Sequence, residues 1–91
     1  MPAHAIDIEQ ESDTTFRVTV DDGRGSSTHV VTLMPSDVEH YAPGWTPEEL
    51  LQAAFAFLLA RESRESILAR FDFPVIERYF PEFPRVLRRG R

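Results

Sequence analysis

Residues 14–34, TTFRVTVDDGRGSSTHVVTLM, decide the fold class. Phe16, Val18 and Val20 alternate with Thr15, Arg17 and Thr19, and the alternation returns after a polar break in His29, Val31 and Leu33 against Val30 and Thr32. Apolar residues at a period of two, rich in β-branched types, predict half-buried strands. The break itself, Asp21 to Ser27, holds two glycines and two aspartates, which suit a turn between neighbouring antiparallel strands. Upstream, Ile6 and Ile8 alternate with Asp7 and Glu9 and make a further strand possible. The first third therefore reads as an antiparallel meander of two or three strands.

The period changes after Pro35. Ser36, Asp37, Val38 and Glu39 have capping-box spacing and predict a helical turn through Tyr41. A stronger start follows at Thr46-Pro47-Glu48-Glu49, with a threonine cap, a proline at the first helical position and a glutamate three residues beyond the cap. A helix is predicted from Pro47 to Arg61 or Glu62. Ser63 offers a cap for a second helix carrying Ile67, Leu68 and Phe71; Val75, Ile76, Tyr79 and Phe80 predict a third segment ended by Pro81, and Pro84 starts a last one carrying Val86 and Leu87. The expected fold is α+β, an antiparallel two- or three-stranded meander followed by one long helix and two or three short C-terminal helices. It forms a single domain over 1–91, with fraying near 1–4 and 88–91.

With 91 residues, 42% of them apolar, the chain fits one small domain. Its stability should be about 5 to 9 kcal/mol. The absence of cysteine excludes thiol chemistry, thiolate zinc and a disulfide framework. The N-terminus lacks the basic start and apolar core of a signal peptide, and the longest apolar run, Ala53 to Ala60, is eight residues. Spanning a bilayer takes about 20. The expectation is a cytoplasmic protein with no membrane association.

Few chemical constellations stand out. His4, His29 and His40, even with Asp37 and Glu39 nearby, lack metal-ligand spacing, so no metal is expected. Adjacent acids at Asp21-Asp22 and Glu48-Glu49 point in different directions, and the second pair has a capping role; no catalytic set and no cofactor are implied. The glycines of 21–27 join strands rather than opening a helix, which argues against a phosphate cradle.

The stretches Thr46-Pro47-Glu48-Glu49-Leu50-Leu51, Glu65-Ser66-Ile67-Leu68 with Phe71-Asp72, and Tyr79-Phe80-Pro81-Glu82 resemble a group of small uncharacterised bacterial proteins. These share a strand meander, a TPEEL-type helix and a short aromatic tail. The resemblance implies a fold and a bacterial source, and no activity. The TPEELL start is also similar to the central helix of peroxide-reducing OsmC-type proteins, whose chemistry needs the cysteine this chain lacks.

Two surfaces are candidates for binding. On the long helix, Leu51, Ala54, Phe55 and Leu58 form one apolar stripe and Leu50, Ala53, Phe57 and Ala60 a second, which either the C-terminal helices or a second copy must cover. A homodimer whose interface includes part of this helix or the C-terminal aromatic segment, or association with another protein, is the leading expectation for a non-enzymatic module. The alternative is a small nucleic-acid-binding or antitoxin-like regulator: residues 1–50 carry a formal charge of -8 and residues 51–91 carry +3, with Arg85, Arg88, Arg89 and Arg91 at the basic end. The overall charge of -5 opposes long-range steering to nucleic acid. Most of the five aromatics Phe71, Phe73, Tyr79, Phe80 and Phe83 should pack onto the long helix or sheet, with Phe80→Ala expected to cost about 3 kcal/mol or more.

Overall fold

A computed structural model describes residues 5–89. Strands β1 (Ala5–Gln10), β2 (Thr15–Asp21) and β3 (Ser26–Thr32) form the antiparallel meander. Helices α1 (Pro35–Tyr41) and α2 (Pro47–Leu59) follow, then a 3-10 turn at Arg64–Ser66, strand β4 (Arg70–Asp72), and helices α3 (Val75–Tyr79) and α4 (Phe83–Arg89). The architecture is α+β, with a four-stranded sheet in the order β1-β2-β3-β4. The chain's helices pack on one face of the sheet, where Phe16, Val18, Val20, Val31 and Leu33 are buried with the Leu51, Ala54, Phe55 and Leu58 stripe of α2. The other face carries Thr15, Arg17, Thr19 and Thr28, exposed or half-buried.

The long helix starts as its cap dictates: Thr46 Oγ1 accepts from the Glu49 N–H at 3.1 Å, and Glu49 Oε1 accepts from the Thr46 N–H at 2.8 Å. It stops at Leu59 with a turn through Glu62, slightly short of the predicted end. At α1 the box shifts two residues back, because Asp37 accepts from the Met34 N–H at 2.9 Å, satisfying one of the helix's first free donors. The helix α4 runs on through Arg88 and Arg89, which the sequence places in a frayed end; 1–4, 90 and 91 lie outside the described residues.

One element departs from expectation. Residues 63–71 do not form a helix: Ser63 is extended, its hydroxyl meets Ser66 Oγ at 3.2 Å instead of capping, and Ile67 is extended as well. The segment runs into β4, parallel to β3, and the sheet is mixed rather than a pure meander. The physical reason is the outer edge of β3. The Val30 N–H and Thr32 C=O point away from β2 and need partners, which Ala69 C=O (2.8 Å) and Phe73 N–H (2.9 Å) provide.

Two side chains hold this crossover in place. His29 is 2% exposed, tilted 5.6 Å from the Phe55 ring. Its Nδ1–H donates to Leu68 C=O at 2.8 Å, leaving Nε2 to accept from the Ser27 hydroxyl at 2.8 Å. Arg64 donates through Nε to Asp22 Oδ2 at 2.9 Å, clamping the 3-10 turn onto the β2–β3 hairpin. The Arg24 backbone N–H and then the Arg64 guanidinium hold the Asp22 carboxyl below its ordinary value. Glycines make that hairpin feasible: Gly23 has φ +87, and a Cβ on Gly25 would fall 2.8 Å from the Arg64 guanidinium.

The first turn of the C-terminal half is tied to α1 by Tyr41, whose buried hydroxyl donates to Glu77 Oε1 at 2.7 Å. Burial, and then the hydrogen bond to Glu77, push its ionisation well above the ordinary phenol value. A phenol raised in the folded state adds stability that is fully present below its unfolded pKa of about 10 and lost as pH climbs past it. Tyr41→Phe is therefore expected to cost about 1 kcal/mol at neutral pH and to flatten the alkaline fall in melting temperature above about pH 10. A variant with the wild-type alkaline slope would rule out this assignment.

Candidate interaction groove

Between the end of α2, β4 and α3 lies a mostly apolar groove of about 400 Å³. The fold builds it from the crossover. Ile67 and Phe71 are carried under the sheet edge by the extended segment, Leu58 comes from the last turn of α2, and Ile76 from α3; all four are buried and form the floor. Val75 and Phe80 wall it at half burial, and Glu62 and Ser66 supply its polar atoms. At the rim stand Leu68, 45% exposed, and Tyr79, 66% exposed, two of the three large apolar side chains left in water among the described residues; the third, Met34, is elsewhere. Such side chains beside a concave apolar surface mark an interaction site more often than scattered ones do. A second, shallower crevice of about 290 Å³ lies between Ile6 of β1 and Ala56, Leu59 and Ala60 of α2.

The predicted second stripe of α2 is split. Leu50 and Phe57 are buried by this chain itself: Phe57 packs against Phe83 (4.9 Å between ring centres) and Phe80 (5.7 Å), and the Arg61 guanidinium lies 3.6 Å over its ring. Ala53 is half-buried, and Ala60 is exposed and lines the shallow crevice. The four do not form one surface, because Leu50 is buried in the core and the chain's own Phe80 and Phe83 cover Phe57. The aromatic segment also divides, with Phe71, Phe73 and Phe83 buried, Phe80 half-buried and Tyr79 at the groove rim.

Arg85, Arg88 and Arg89 are exposed and lie one helical turn apart on α4, three and four residues in spacing; Arg91 lies outside the described residues. None of the three joins the ion pairs found among the described residues, whereas Arg61 meets Glu82 at 3.4 Å and Arg64 meets Asp22. The histidines do not converge. His29 is locked inside, His40 is exposed with its ring edge on Tyr41, and His4 lies outside the described residues. Among the described residues no three His, Asp or Glu side chains gather, and no helix is long and apolar enough to cross a membrane.

Sequence reasoning missed β4 and, with it, the groove. A signal exists in the strict alternation Arg70-Phe71-Asp72-Phe73, but four residues of period two are short, and Ile67, Leu68 and Phe71 also fit a helical face. No protein-family model, curated protein or solved structure matches the chain.

Proposed function

We propose that the protein is a non-enzymatic, cytoplasmic bacterial module that works by protein–protein association, and that it associates with a second copy of itself through the groove beside β4 and α3. The observation that carries this reading is the placement of Leu68 and Tyr79, largely exposed, on the rim of an apolar groove of about 400 Å³. A two-fold arrangement sets the rim of each copy against the groove of the other, so a single patch satisfies both. Charges in and beside the lining nearly balance, with Glu62, Glu65, Asp72 and Glu77 against Arg61, Arg70 and Arg78. This part of the surface therefore carries little of the acidic excess that would push two copies of a chain of charge -5 apart.

Light scattering over a range of concentrations tests it. The expected mass rises toward twice 10.4 kDa. Leu68→Glu combined with Tyr79→Glu should return it to one chain while the melting temperature stays within a few degrees, since both side chains are largely exposed. A wild-type mass that stays at one chain throughout defeats the reading. A second reading rests on Arg85, Arg88 and Arg89, exposed together and outside the ion pairs. Titrating the same samples with mixed-sequence DNA distinguishes the two, because phosphate contacts through these arginines would give a complex that salt dissolves.

A further inference from the structure

We infer that the two copies join by antiparallel pairing of β4 with β4 of the second copy, about a two-fold axis between their Phe71 residues; this rests on the self-association proposed above and specifies its geometry. The strand ends the sheet order, so one of its sides has no strand neighbour among the described residues. The ladder fixes which groups that side presents. Val30 N–H donates to Ala69 C=O and Phe73 N–H to Thr32 C=O, with Val31 opposite Phe71. In a parallel ladder alternate residues face the partner, so 69, 71 and 73 face β3, and the N–H and C=O of Arg70 and Asp72 point out of the sheet.

Two outward residues two apart suffice for one narrow register. Centred on Phe71, antiparallel pairing sets Arg70 of each copy opposite Asp72 of the other, and each such pair exchanges two backbone hydrogen bonds. Side chains opposite one another share a face of the sheet, so both pairs are also Arg–Asp ion pairs. Neither Arg70 nor Asp72 joins an ion pair among the described residues, and both are exposed. The registers centred on residue 70 or residue 72 put Arg70 opposite Arg70 or Asp72 opposite Asp72. The first would also call on the Leu68 carbonyl, which His29 occupies. Only the Phe71-centred register matches charge and hydrogen bonds together.

The axis stands normal to the sheet, which keeps the helical layers of both copies on the same face and turns the two grooves toward each other. Three residues of strand bury too little alone. Specific interfaces take about 800 Å² from each partner, and the exposed Leu68 and Tyr79 over the grooves are what this chain has to offer beside β4.

Charge reversal tests the register. Arg70→Asp makes all four facing charges negative and Asp72→Arg makes all four positive; each is expected to weaken the dimer at least about tenfold. Mixing the two variants pairs two aspartates with two arginines, and native mass spectrometry should then show a heterodimer that neither variant forms alone. Circular dichroism confirms that each variant is folded. A wild-type dimer that both reversals leave intact, or a mixture that yields no heterodimer, overturns the β4 register while leaving self-association standing. A wild type that is monomeric at every concentration removes both.

Discussion

Phe83→Ala is expected to remove about 3 to 5 kcal/mol of stability, a third or more of what a chain of this length has. The ring is 1% exposed and sits where the halves of the molecule meet, 4.9 Å from Phe57 of α2, 5.8 Å from Tyr41 of α1 and 5.8 Å from Phe73 after β4. Removing it leaves three rings facing a void that the short helices around it cannot close without moving. In urea the midpoint should fall by a third or more with the slope unchanged. Phe80→Ala, for which the sequence alone suggests a similar loss, should cost only about 1 to 2 kcal/mol, since Phe80 is half-buried and, among the described residues, only the Phe57 ring packs against it. Equal losses for the two variants would place the centre of the C-terminal packing elsewhere.

His29→Leu is expected to cost about 2 to 4 kcal/mol despite its similar volume. The leucine fills the space beside Phe55, but the Leu68 carbonyl and Ser27 hydroxyl lose their buried partner. The loss should be local before it is global. The amide protons of Val30 and Phe73, which bond across β3 and β4, should exchange faster in the variant than those of β1 and β2. If those amides keep their protection, His29 is filling space and nothing more.

The contrast between these positions shows what could be read from residues in order. The strand alternation of 14–34 and the Thr46-Pro47 start are local signals, strong because backbone geometry and capping act within a few residues, and both elements lie where they point. His29 was legible as sharing a face of β3 with Val31 and Leu33, yet its burial and its role depend on a carbonyl 39 residues away. The same limit hid β4. What makes Arg70–Asp72 a strand is the unsatisfied edge of β3, a demand set by a distant segment and invisible in Ile67, Leu68 and Phe71 themselves. For the stripe of α2, periodicity identified Leu50 and Phe57 as needing cover. It could not say whose side chains would provide it.

The opposite margin of the sheet is treated differently. Because Glu11 N–H donates to Thr15 C=O, the alternate pairs 9/17 and 7/19 face each other across β1 and β2, and Ile6, Ile8 and Gln10 turn their backbone groups outward. One of these, the Ile6 carbonyl, is already taken by the Gln52 side-chain amide of α2 at 2.9 Å, and Asp7 and Glu9 line the exposed side with like charge. A strand arriving there finds an acceptor missing and anions in its path, which is how natural sheets discourage runaway growth. In the β4-paired dimer proposed above both open margins would be used and only the discouraged β1 margins would remain, so such an assembly would terminate instead of propagating into a fibre.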